Sequence, residues 1–174
     1  MKILIMMITR CVLLTGCGKE KAYETISDLS VEQEPAKMME MVFSVPVDAT
    51  KQTMEAQQNT QVYFCEDYTL TTQVLDGGDL KNSILKTTGF SPDQLSVLHV
   101  KREDVDRHSF VWTAATDAGI QVCRGILLDD GNYHYVLTAM ASEDVAGALS
   151  REQWREIFNS CRLMAPEDIV SSGS

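Results

Sequence analysis

The stretch from Phe110 to Met140 restricts the fold more than any other part of the chain. Phe110–Thr116 and Ile120–Leu128 are strand-like runs separated by Asp117-Ala118-Gly119, and Asp129-Asp130-Gly131-Asn132 then leads into Tyr133–Met140. Asp-Gly tolerates the positive φ that tight hairpin turns need. Strands joined this closely must run antiparallel, because a parallel return needs a crossover of roughly a dozen residues or more. In the last strand Tyr135, Leu137 and Ala139 point one way and Val136, Thr138 and Met140 the other. Both sets are largely apolar, which predicts a central strand covered on two faces.

The covers are expected to be helices. Ser150 and Gln153 have the spacing of a capping box. Behind them Trp154, Ile157, Phe158 and Cys161 fall at i, i+3, i+4 and i+7 on one face, while Arg151, Glu152, Arg155 and Glu156 stay in water. Burying that face contributes about 1.5–3 kcal/mol per large side chain. A second helix is predicted over Leu80–Thr88, with Asp79 as its cap, Leu80, Ile84 and Thr87 on one face, and Gly89 ending it in a left-handed conformation. Ser91-Pro92 opens a further short helical turn.

Other strands are predicted where Met39, Met41, Phe43 and Val45 alternate before Pro46, at Gln61–Cys65 and Tyr68–Leu75 around Glu66-Asp67, and at Val97–Val100. Lys51–Asn59 is polar and Lys101–Arg107 has the character of a charged turn. The expectation is one α+β domain over residues 38–165, an antiparallel β-sheet flanked by helices in α/β/α layers, with 166–174 as a loose tail.

Residues 1–16 have a different character. Lys2 precedes an apolar run, Ile3–Ile8, which resumes at Cys11–Leu14 after Arg10. Sixteen residues broken by an arginine are too short to cross about 30 Å of hydrocarbon comfortably, so a signal segment fits better than a span. Its last residues, Leu14, Thr15 and Gly16, followed by Cys17, resemble the lipobox of bacterial lipoproteins. Small residues there allow an extended chain to enter a peptidase. The resemblance implies cleavage before Cys17, a diacylglyceryl group on its sulfur (palmitate-type chains) and a cell-membrane anchor facing outside the cytoplasm. Two chains at about 0.8 kcal/mol per buried CH₂ anchor stably. Arg10 departs from the uninterrupted apolar core that such segments have. Residues 17–37 are polar, contain Pro35, and are expected to form a tether.

The formal net charge is −10, and two of the 15 basic residues, Lys2 and Arg10, lie in the signal segment, so the remainder carries −12. An acidic body repels phosphate backbones, which argues against a nucleic-acid partner.

Over residues 38–165 the layout resembles PsbP-like and Mog-like domains. Phe43-Ser44-Val45-Pro46 is similar to their opening strand, Thr88-Gly89-Phe90 to the end of their helix, and Tyr133–Ala139, an acidic loop and the Trp154–Cys161 helix with Arg162-Leu163 to their closing strand and helix. The family includes extrinsic subunits of photosynthetic complexes and Ran-binding proteins, both non-enzymatic partners of larger assemblies. It implies the α/β/α fold and an accessory role, and carries no active site to transfer.

No catalytic spacing stands out. There is no G-x-S-x-G elbow, P-loop or H-E-x-x-H, and Asp129–Asn132 lacks calcium-loop spacing. His108 with Asp104 and Asp106 would make at most a surface metal site, and a solvated charged turn is the simpler reading; His99 and His134 are read as sheet residues. None of Cys65, Cys123 and Cys161 forms a C-x-x-C pair. Cys161 is expected to be a buried small hydrophobe, and a Cys65–Cys123 disulfide would need Cα atoms within about 7 Å. Tyr63, Tyr68, Tyr133 and Tyr135 would either line a groove or pack the strands. The expected function is a membrane-anchored binding or assembly module without catalysis, cofactor or metal, whose partners are the membrane through Cys17 and an envelope protein. An envelope enzyme of hydrolase type, with residues assembled from distant strands, is the alternative, and a cytoplasmic chain with a folded N-terminus is the third reading.

Overall fold

In the computed structural model the meander is the centre of a seven-stranded antiparallel sheet. The structure describes residues 38–53, 59–102 and 105–166. The Leu14–Cys17 motif, the tether to residue 37, Asp104 and the tail from 167 lie outside the described residues. Every described residue belongs to the unit Ala36–Ser174.

In chain order the elements are β1 (Glu40–Val42), β2 (Thr50–Thr53), β3 (Thr60–Phe64), β4 (Thr69–Asp76), α1 (Leu80–Thr88), a 3₁₀ turn at Pro92–Gln94, β5 (Leu98–Arg102), β6 (Val105–Thr116), β7 (Gly119–Asp129), β8 (Tyr133–Ser142), α2 (Glu143–Ala148), α3 (Arg151–Asn159) and β9 (Arg162–Met164). The large sheet runs β2-β3-β4-β8-β7-β6-β5, and β1 pairs with β9 in a separate two-stranded ribbon. The fold is α+β with antiparallel pairing, as the sequence predicts.

Strand β8 lies between β4 and β7, with Leu137 opposite Thr72 on one side and Ile126 on the other. It is buried on both faces. On the front, Leu70, Ile126, Tyr135, Leu137 and Ala139 pack with Trp154, Ile157 and Cys161 of the α3 region. Val145 and Ala146 of α2 join that cluster, as do Met39, Met41, Phe43, Val45 and Leu163, so β1 and β9 also strap the front face. On the back, Phe110, Leu127 and Val136 pack with Ile84 of α1. The helices therefore form the two outer layers.

The helix ends follow the sequence. Asp79 accepts from the Lys81 amide, and Gly89, at φ 79°, donates its amide to the Leu85 carbonyl. Ser150 and Gln153 satisfy each other's backbone amides at the start of α3.

Two expectations need correction, the charged turn at Lys101–Arg107 and the acidic loop after β8, and two points left open in the sequence are settled. Lys101–Arg107 is mostly strand: β5 runs through Arg102 and β6 resumes at Val105. The polar run after Lys51 begins as β2, a sheet edge, where polar side chains suit an exposed strand. The acidic loop after β8 is the short helix α2. Cys65 and Cys123 are free thiols. Cys65 packs into the front cluster, whereas Cys123, opposite Met140 and Trp112, points to the back; the sheet separates the two sulfurs.

Candidate functional site

The front face of the sheet is not covered evenly. Helix α3 lies over β7 and β8 and leaves a groove of about 440 Å³ against β5, β6 and β7. That volume falls in the range of small-molecule sites, about 300–1,000 Å³. Its floor is apolar, and two of the contributing side chains, Leu98 on β5 and Val111 on β6, are 65% and 51% exposed.

Four arginines border this groove: Arg107, Arg124, Arg151 and Arg155. Alternation along β6 and β7 explains the first two, since Arg107 is paired with Leu128 and Arg124 with Val111 on the front-facing register. Arg107 Nη2 donates to the Phe158 carbonyl at 2.7 Å, holding the last turn of α3. The guanidinium carbon of Arg124 lies 4.6 Å from the ring centroid of Trp154. The Nε of Arg124 and the Nε1 of Trp154 are both buried donors with no hydrogen-bond partner. Arg151 and Arg155 are exposed on α3. Among the described residues, Arg124, Arg151 and Arg155 form no ion pair, and no carboxylate lines the groove.

The sequence reading placed Arg151 and Arg155 only on a wet face and did not single out Arg107 or Arg124. The available signal was the repeat on α3: Arg151 and Arg155 are four apart, and so are Glu152 and Glu156. Like charges at that spacing share a helix flank and destabilise it by a few tenths of a kcal/mol. Glu156 lines a separate cavity with Ser44, Tyr68 and Gln153.

The histidines gather on the back face instead. His99 and His108 are cross-strand partners with rings stacked at 4.6 Å. Asp106 accepts from His99 Nε2 at 2.6 Å, and this contact holds its carboxyl below the usual carboxylate range. Burial pushes the His108 imidazole down, with the neighbouring His99 adding to the effect. Among the described residues there is no cluster of three or more metal-ligating side chains.

Ser83, His134 and Asp129 stand in a row that sequence spacing did not suggest. His134 Nδ1 meets Ser83 Oγ at 2.7 Å, and its Nε2 is 3.5 Å from Asp129 Oδ2. In a serine hydrolase Nε2 serves the nucleophile and Nδ1 the carboxylate. Here the ring is reversed, His134 is wholly buried and Ser83 is 4% exposed. Substrate has no route to that hydroxyl, and the contact pins α1 to β8. The tyrosines do not converge: Tyr135 is buried in the front core, while Tyr63 and Tyr68 line different cavities. Cys161 is buried, and its thiol is pushed up to about 12 by burial.

The described residues thus form an α+β layered domain with an arginine-bordered apolar groove. No protein-family profile and no curated protein sequence matches the chain. Among solved structures its fold is similar to that of a protein from Bacteroides thetaiotaomicron VPI-5482, at 12% identity and a TM-score of 0.50, over 73% of this chain and 46% of that one. The chain therefore spans less than half of that protein's length. It also aligns with LpqN, involved in cell envelope biogenesis of Mycobacterium tuberculosis, at 12% identity and a TM-score of 0.49, over 76% of this chain and 87% of that one. At these identities the likeness is one of fold alone.

Proposed function

We propose that this chain is a lipid-anchored extracytoplasmic lipoprotein whose domain, with the α/β/α layout of PsbP-like proteins, has a non-catalytic binding or accessory role. The observation that carries the reading is Leu14-Thr15-Gly16-Cys17 at the end of an apolar leader. Consistent with a lipid anchor, no helix among the described residues is long and apolar enough to cross a membrane. The non-catalytic part is supported by the sealed Ser83–His134–Asp129 row and by a groove lined with cations and apolar groups instead of paired acids and bases. Asp129 and the histidines sit on the opposite face of the sheet from that groove.

The test follows the wild-type chain, Cys17→Ser and Ser109→Trp, a substitution that fills the groove, in cells lacking the native copy. Wild-type protein should sediment with membranes, with a mature N-terminus at an acylated Cys17 by mass spectrometry. Cys17→Ser should leave the membrane fraction. Deletion is expected to lower resistance to detergent, and neither variant should restore it. Intact, unmodified wild-type protein starting at Met1 in the soluble fraction would overturn the anchor. Full rescue by Ser109→Trp would overturn the binding role.

A further inference from the structure

We infer that the groove between α3 and strands β5–β7 binds a monomeric anionic amphiphile, a phosphate or carboxylate head on an apolar chain. The inference rests on reading this groove as a binding site; it does not depend on the anchor. Three observations converge on the head. Arg124, Arg151 and Arg155 have no carboxylate partner among the described residues, although the chain holds 25 acidic residues. Glu152 and Arg155, three apart on α3 and so within reach of each other, do not pair either. Gathering cations against a low-dielectric wall is unfavourable unless an anion neutralises them. The orphaned N–H donors of Arg124 and Trp154 point to the same chemistry, since buried donors are nearly always paired and an anion offers several acceptors.

The tail follows from the floor. Leu98 and Val111 are exposed, and Phe158 and Ile126 continue the same surface under α3. An inorganic anion would leave that surface wet, whereas an apolar chain laid along it removes the surface from water. Arg124 stacks on Trp154, and Arg151 stands three residues before Trp154 at the start of α3, while Arg107 is held at the Phe158 end. The head therefore belongs at the Trp154 end and the tail beside β5 and β6. A volume of about 440 Å³ suits one small molecule.

The test is calorimetric titration of the full chain carrying Cys17→Ser, so that no attached acyl chain competes. The probes are dodecyl phosphate below its micellar concentration, inorganic phosphate, dodecyltrimethylammonium, dodecyl maltoside, and vesicles of phosphatidylglycerol with phosphatidylcholine. Dodecyl phosphate should bind one to one, at least about tenfold more tightly than any other soluble probe, a loss in line with one charge-assisted hydrogen bond. Arg151→Gln with Arg155→Gln, both exposed, should weaken it by about tenfold or more while leaving the circular dichroism unchanged. Arg124→Gln should act in the same direction. Equal binding of the cationic or neutral amphiphile overturns the anionic head, and equal binding of inorganic phosphate overturns the tail. Binding to vesicles without binding of dodecyl phosphate replaces the site with a bilayer contact. If dodecyl phosphate fails while Ser109→Trp still abolishes rescue in cells, the ligand class is wrong and the binding role stands. If Ser109→Trp also rescues fully, the groove itself is not the site.

Discussion

The guanidinium of Arg124 stacks on Trp154 at 4.6 Å, joining the middle of β7 to the buried face of α3. The contact has two opposing parts. Cation–π attraction in a partly desolvated site contributes up to about 2 kcal/mol. The buried Nε without a partner costs about 1–3 kcal/mol. A side chain that keeps the packing and removes the orphaned donor should therefore be tolerated. Arg124→Met is expected to leave folding stability within about 1 kcal/mol of wild type, whereas Arg124→Ala, which uncovers the indole, should lose about 1–3 kcal/mol. Urea denaturation followed by Trp fluorescence separates the two, and equal losses would show that the charge, not the stem, holds α3.

On the opposite face, Ser83 and His134 fix α1 to β8 through one buried hydrogen bond of 2.7 Å. Ser83→Ala strips His134 Nδ1 of its partner and should cost about 1–3 kcal/mol. Adding His134→Phe removes the orphan as well, so the double variant should recover much of that loss, a coupling that a double-mutant cycle measures directly. Additive losses would mean that the hydrogen bond contributes little.

Burial raises the pKa of all three domain thiols, Cys161 to about 12 and Cys65 and Cys123 by smaller amounts. Only the thiolate reacts readily with alkylating agents. At pH 8 in native buffer, Cys123 and Cys161 should resist iodoacetamide, with the less buried Cys65 slow, and all three should react in urea without reductant. Intact-mass measurement counts the adducts. A Cys65–Cys123 disulfide would leave only one of the three reactive in urea.

Gly125 of β7 shows why the back face is tight. A Cβ there would stand 2.6 Å from Phe110 Cε2 and 3.2 Å from Trp112 Cζ3. Both rings lie over the glycine because Phe110 is its cross-strand partner and Trp112 packs against Phe110 with ring centroids 5.6 Å apart. Gly125→Ala must displace a ring in a packed cluster, at a cost of about 1–3 kcal/mol. Thermal denaturation should show a clear drop in Tm, and an unchanged Tm would mean that the Phe110 ring moves aside freely.

Local chemistry wrote much of this fold into the sequence. Asp79, Gly89, Ser150 and Gln153 act within a few residues of themselves, so caps and turns were legible, and so was the two-sided burial of β8. The pairing of β1 with β9 was not, because Met41 opposite Leu163 joins segments far apart in the chain and three-residue strands leave little periodicity to read. Strand β2 was hidden by its polarity, which is how an edge strand avoids further pairing. The groove was the least legible part. Its cations come from β6, β7 and α3, and only the fold places Arg107 and Arg124 beside Arg151 and Arg155. The histidine row illustrates the same limit: Asp106 was grouped with His108 by proximity in sequence, but its hydrogen bond goes to His99 on the neighbouring strand.

That row makes stability depend on pH in two separable steps. His108 is 8% exposed, and its imidazole is held below 6.5 by burial first and by His99 second, with Asp106 and Asp129 pulling the other way and His134 adding to the depression. A histidine with a lowered pKa takes up its proton more readily in the unfolded chain. Stability should therefore fall as pH drops below 6.5 and stop falling from this source once pH passes the folded value. Asp106 acts in the acid range: its carboxyl, held below 3.8 by His99 and then Lys101, supports the fold above 3.8 and loses that contribution as pH falls through its lower folded value. His108→Phe should flatten the first step and leave the second; Asp106→Asn should remove the second and also shift the first, because it takes away a charge that favours protonated His108. Urea midpoints measured at closely spaced pH values resolve both. A wild-type midpoint that rises as pH drops just below 6.5 would reverse the sign assigned to His108 and with it the argument that burial dominates its ionisation.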